Sequence, residues 1–145
     1  MKYGIDINNT EILKAISQKL KESGNFIVDL YQGQSTARSL LKKVLIANIT
    51  NIDFYVGIEF KKDISQCEIF YDNNEKSKEC SEVVNKLLNE NIKNIICKQG
   101  DHLYLLKNIN APALYIKIPV EAEETIEQLY IEGIVDILNE ISNRE

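Results

Sequence analysis

Residues 1–30 read MKYGIDINNTEILKAISQKLKESGNFIVDL, and the reading of this stretch decides the fold. Tyr3, Ile5 and Ile7 recur at the period of two that a half-buried strand requires. Beyond Asn8-Asn9-Thr10 the period lengthens. Ile12, Leu13, Ile16 and Leu20 then form one helical stripe, and Gly24 is the residue type that ends such a helix in a left-handed turn. Phe26, Val28 and Leu30 return to alternation. Strand, helix and strand at this spacing make a crossover unit, which joins parallel neighbours in a sheet. At the helix start, Asn8 as N-cap with Glu11 three residues on predicts a near capping box.

The same switching of period continues along the chain. After the loop Gln32-Gly33-Gln34 a helix carries Leu40, Leu41, Val44 and Leu45. Phe54 to Phe60 is a buried strand and Glu68 to Tyr71 another, and the turn Asp72-Asn73-Asn74 leads into a helix with Val83, Val84, Leu87 and Leu88 on one face. Ile92 to Lys98 and Leu103 to Leu106 read as short extended pieces around the turn Gln99-Gly100-Asp101. Leu114, Ile116 and Ile118 form the last strand, closed by Pro119. Ile126, Leu129, Tyr130, Ile134, Ile137, Leu138 and Ile141 form the last helix. The expected fold is α/β: one domain over residues 1–145, with a mostly parallel or mixed twisted sheet and helices on both faces.

Composition agrees with a single packed domain and narrows the function. The chain has 145 residues, 44% of them apolar, with 22 acidic and 17 basic side chains and a net charge of −5. An acidic balance with scattered lysines argues against non-specific nucleic-acid binding, which needs basic side chains to displace counterions. The doublets Lys42-Lys43 and Lys61-Lys62 read as solvated surface. Cys67, Cys80 and Cys97 are odd in number and widely spaced, which suggests neither a disulfide framework nor a cysteine zinc site. With no signal-peptide pattern and no apolar run long enough to span a bilayer, the expectation is a cytoplasmic protein.

Several segments in order carry a resemblance. Leu103-Tyr104-Leu105-Leu106 is followed by Ala111-Pro112-Ala113-Leu114-Tyr115-Ile116 and then by Ile131-Glu132-Gly133-Ile134-Val135. Earlier come Ala47-Asn48 with Asp53, and Cys67-Glu68-Ile69-Phe70-Tyr71. Together these resemble the type 3 zinc-dependent N-acetylmuramoyl-L-alanine amidases, particularly the amidase domains of clostridial phage endolysins. The resemblance implies an α/β amidase fold and a site in which two His and one Glu hold zinc, while a further Glu acts as general base.

Carried onto this sequence, that site is altered throughout. Asn9 stands where the first His ligand falls, and an amide is a poor zinc ligand. The loop bearing the Glu ligand has collapsed to Asn8-Asn9-Thr10, and Glu11 falls nearer the core-facing turn of the helix than the family's Glu. In Gly57-Ile58-Glu59-Phe60, Glu59 replaces the second His. In Tyr115-Ile116-Lys117-Ile118, Lys117 reverses the charge at the general base. One carboxylate and an amide beside a cation make a poor metal site, so no cofactor is expected. Because Glu59 and Lys117 would face the same cleft, the sequence suggests an ion pair there in place of the metal; the bland alternative is two independent solvent-facing charges.

Other chemistry is thin. His102 is the only histidine and sits beside a turn, where an exposed side chain is expected. Ser35, Ser39, Ser65, Ser77, Ser81 and Ser142 lack a His base, and Gly33 and Gly100 are too isolated to cradle phosphate. The expected function is therefore a catalytically inactive, amidase-like module that binds a peptidoglycan fragment or a protein partner, with a link to lysis or secretion. One alternative is a metal-dependent amidase with an atypical site using Glu59, Asp6 and Glu11. Another is a structural protein that self-associates through a sheet edge or its last helix.

Overall fold

A computed structural model describes residues 1–33, 36–90, 92–120 and 128–144. Gln34 of the predicted loop, Ser35 among the serines considered, and Ile126 of the predicted last helix lie outside the described residues, as do the side chains of Leu129 and Tyr130. The elements follow the order β1 (Lys2–Ile7), α1 (Thr10–Glu22), β2 (Phe26–Asp29), α2 (Ala37–Ile49), β3 (Phe54–Lys61), β4 (Cys67–Tyr71), α3 (Glu75–Leu88), β5 (Ile95–Gln99), α4 (Tyr104–Asn108), β6 (Ala113–Pro119) and α5 (Gln128–Asn143).

One six-stranded mixed sheet runs β2-β1-β3-β6-β4-β5. The first four strands in that order are parallel, β4 is antiparallel to β6, and β5 is parallel to β4. Alternation along the strands sends two sets of side chains to opposite faces. Tyr3, Ile5, Ile7, Phe54, Val56, Ile58, Leu114, Ile116 and Ile118 join α1, α3 and α5 in the larger core. Leu30, Tyr55, Phe70 and Ala113 meet Val44, Ala47, Leu105 and Leu106 from α2 and α4 in a smaller core on the other face. The predicted architecture is thus present, with helices on both faces.

Three local expectations need correction. Leu103 to Leu106 is not extended: Tyr104–Asn108 is a helix that buries Leu105 and Leu106. A short apolar run has no period by which strand and helix can be told apart. The strand predicted over Ile92 to Lys98 begins only at Ile95. The N-cap of α1 is Asn9, whose side chain accepts from the Ile12 backbone N–H at 3.1 Å. Asn8 instead extends the β1–β3 ladder: its Nδ2 donates to the Phe60 carbonyl at 3.0 Å and its Oδ1 accepts from the Phe60 N–H at 2.8 Å.

Candidate functional site

From β1 the chain moves to β2 on one side through α1, then returns past β1 to β3 through α2. Where strand order reverses in this way, the flanking helices lie on opposite faces and leave a crevice at the carboxyl ends of the strands. A cleft of about 390 Å³ lies there. Its charged lining is Asp6, Lys43, Glu59 and Lys117, and its aromatic lining is Tyr31, Tyr104 and Tyr115.

The deepest feature is a buried pair that sequence reasoning missed. Lys43 of α2 reaches across to β1, where its ammonium donates to Asp6 Oδ2 at 3.0 Å; Asp6 is 5% exposed and Lys43 7%. The Tyr55 hydroxyl of β3 donates to the same oxygen at 2.7 Å. Burial raises the Asp6 carboxyl above its ordinary value, opposed by the Lys43 ammonium and by the hydrogen bonds from Tyr55 and Lys43. Burial and the Asp6 charge hold the Tyr55 phenol far above its ordinary value, so it remains a proton donor. The expectation that Lys42-Lys43 is solvated surface therefore fails at Lys43. A signal existed: Leu40, Val44 and Ala47 define the inward stripe of α2, and Lys43 lies on it at i+3 from Leu40 and i−4 from Ala47.

A second hydrogen bond lies one strand over. Glu59 of β3 and Lys117 of β6 are register partners, so their side chains share a sheet face, and both line the cleft. They do not form the suggested direct ion pair among the described residues. Glu59 Oε1 instead accepts from the Tyr115 hydroxyl at 2.7 Å. Burial first, then the bond to Glu59 and its charge, raises the Tyr115 phenol well above its ordinary value. Lys117 Nζ lies 5.7 Å from the centre of the Phe70 ring, which also holds Lys98 at 5.1 Å. Lys98 in turn pairs with Glu68 at 3.2 Å. Between the two tyrosine hydrogen bonds sits Gly57. A Cβ there would lie 2.5 Å from both the Tyr55 hydroxyl oxygen and the Tyr115 ring, so only glycine lets both phenols reach their carboxylates.

The other sequence-predicted residues fall elsewhere. Asn9 spends its side chain capping α1. Glu11 is exposed in the first turn of that helix and does not line the cleft, so the atypical set of Asp6, Glu59 and Glu11 is not brought together. His102 is exposed, its ring edge-on to Phe70 at 5.6 Å. Cys67 and Cys80 are buried and Cys97 is half-buried, and burial pushes the Cys67 thiol up to about 12.

The donor set does not suit the zinc centre that the amidase resemblance implies. Asp6 is committed to an internal cation, Glu59 to a phenol and Asn9 to a helix cap, while Lys117 adds positive charge. Among the described residues no three His, Cys, Asp or Glu side chains come together to hold a metal ion. No helix among them is long and apolar enough to cross a membrane.

No protein-family profile matches this sequence, and a search of curated proteins finds no match. Solved structures do match. The catalytic domain of the CD27L endolysin, which targets Clostridia difficile, superposes with a TM-score of 0.78 at 16% identity over 100% of this chain and 98% of that one. The catalytic domain of CwlV, an N-acetylmuramoyl-L-alanine amidase from Bacillus (Paenibacillus) polymyxa, gives 0.75 at 15% identity over 100% of both chains. An N-acetylmuramoyl-L-alanine amidase from Clostridium difficile 630 gives 0.75 at 20% identity, covering 98% of this chain and 96% of its own. From end to end, then, this chain has the fold of an N-acetylmuramoyl-L-alanine amidase catalytic domain.

Proposed function

We propose that the protein is a non-hydrolytic binding module with an amidase-type fold, which holds a peptidoglycan fragment in its cleft without cleaving it. The observation that carries this reading is the use made of the residues that the resemblance sets at the metal and base positions. Asn9 caps a helix, Glu59 accepts a phenol, and Lys117 brings a cation to the cleft at the position for which the resemblance implies a general base. A base must be able to receive a proton, and an ammonium cannot. The cleft still offers aromatic walls and both signs of charge, which suits a ligand carrying sugar faces and ionised peptide groups.

The test combines three measurements on the intact chain: bound zinc after incubation with the metal, release of L-alanine amino termini from purified sacculi, and co-sedimentation with those sacculi. The expected result is binding without release, weakened by Tyr104→Ala and by Lys117→Glu. Stoichiometric zinc together with release that disappears in Glu59→Ala would make the chain a metal-dependent amidase and end the proposal. Failure to sediment with sacculi would remove peptidoglycan as the ligand.

A further inference from the structure

The helix stripe predicted from Leu40, Leu41, Val44 and Leu45 does not lie where a core stripe should. Val44 is buried, but Leu41 is 48% and Leu45 50% exposed, and Ile49, one turn further, is 75% exposed. These three lie at i, i+4 and i+8, along one ridge of α2. Phe26, 71% exposed at the start of the edge strand β2, extends the patch. It is the register partner of Lys2, whose ammonium reaches the Thr50 carbonyl just past Ile49. Four of the six large exposed apolar side chains among the described residues therefore gather on this one side.

Charge says what fits against it. Between Leu30 and Ile52 the sequence carries Arg38, Lys42 and Lys43 and no acidic residue. With Lys43 buried against Asp6, Arg38 and Lys42 remain on the outer side at the amino-terminal end of α2. That is the positive pole of the helix, where a cation is unfavourable and no acid in the first turn offsets it. The other end of the ridge carries the negative pole, where the Thr50 carbonyl accepts from the Lys2 ammonium at 2.8 Å, and exposed Asp53, whose Oδ2 accepts from the Lys2 backbone N–H at 2.7 Å.

We propose that α2 docks on α2 of a second copy, antiparallel, with Leu45 at the two-fold axis. An isologous contact requires a self-complementary surface, and this ridge is one. About Leu45, position 41 faces position 49, so Leu41 of each copy covers Ile49 of the other. Arg38 of each copy comes over the carboxyl end of the opposite helix, beside its Asp53, so the cations unfavourable in the single copy find the opposite pole. Phe26 flanks the ridge at both ends and widens the apolar area. This interface differs from the sheet edge and last helix that the sequence suggested for self-association, and leaves the cleft untouched.

Sedimentation velocity at about 10 and about 500 µM tests it. The wild type is expected to shift toward dimer with concentration, and Leu45→Glu to stay monomeric with an unchanged far-ultraviolet circular dichroism spectrum. Arg38→Glu separates charge from packing: it should raise the melting temperature of the dilute chain, by suiting the helix pole, yet lower the dimer fraction several-fold. In a Cys97→Ser background, Leu45→Cys should cross-link two copies on mild oxidation, and Leu41→Cys only when mixed with Ile49→Cys. A wild type monomeric at both concentrations overturns the proposal, and so does a dimer that survives Leu45→Glu. A monomer that floats with phosphatidylglycerol vesicles through the same ridge overturns it as well, in favour of a lipid surface.

Discussion

Lys43 is a cation in a place that water barely reaches, and its neighbours explain why it is tolerated. An ammonium moved into a protein interior loses several kcal/mol of hydration, which a carboxylate and further hydrogen bonds must offset. Asp6 supplies the charge, and Tyr55 satisfies the same carboxylate oxygen. The Asp6 carboxyl titrates above its ordinary 3.8 in the folded chain. A carboxyl raised in this way favours folding most below its unfolded value, and that contribution is lost as pH rises through the folded value. Lys43→Met removes a cation that holds the value down, so Asp6 rises further and its loss extends to higher pH. The variant is expected to lose about 3–5 kcal/mol at pH 7, and the deficit should shrink as the buffer is brought toward about pH 4, where a neutral Asp6 needs no partner. Urea unfolding at a series of pH values measures this; a deficit independent of pH would assign the loss to packing instead. Adding Asp6→Asn, which keeps an acceptor for Tyr55 without the charge, should restore most of the stability at pH 7.

Elements were legible in the sequence where their period was long and unambiguous. The strands β1, β3 and β6 and the helices α1 and α3 declared themselves, because the same apolar residues that set the period also build the larger core. What stayed hidden was tertiary. Asp6 and Lys43 lie 37 residues apart in sequence, and nothing local marks Asp6 as the partner. The rotation of α2, which buries Lys43 and exposes Leu45, follows from its contact with a second core that is itself small. The start of α1 was ambiguous for a simpler reason, since two adjacent asparagines can both cap. The structure divides the work, with Asn8 pairing to Phe60 and Asn9 capping. Asn9→Ala is therefore expected to cost about 1 kcal/mol of stability, the usual price of a lost N-cap acceptor. Asn9→His, which puts an imidazole where the resemblance implies one, should lose a similar amount and gain no stoichiometric zinc, because the other donors are committed elsewhere. Calorimetry and metal analysis of the two variants check both statements, and tight zinc uptake by Asn9→His would show that the remaining side chains are free to rearrange.

At the scale of the whole molecule the sheet separates what holds the fold from what shapes the cleft. One face carries the larger core, closed by α5, where Leu138 is 1% exposed and its carbonyl accepts from the Tyr3 hydroxyl of β1. The other carries the smaller core and, above it, the cleft with its polar network. Because strand residues alternate between faces, chemistry can change on one side while the packing on the other is kept, which is how a fold outlasts a particular site. The polarity of this arrangement gives opposite expectations for two truncations. Leu138→Ala removes methyl groups from the closed face and should cost about 2–5 kcal/mol, with the spread set by how far the surrounding helices relax. Tyr104→Ala, at an exposed side chain lining the cleft, should change stability by no more than about 0.5 kcal/mol while weakening whatever the cleft holds. Denaturant unfolding of both variants, set beside sacculus binding by Tyr104→Ala, tests the separation. If Tyr104→Ala destabilised the chain as much as Leu138→Ala, the cleft wall would be part of the structural core, and binding losses there could no longer be read as contacts with a ligand.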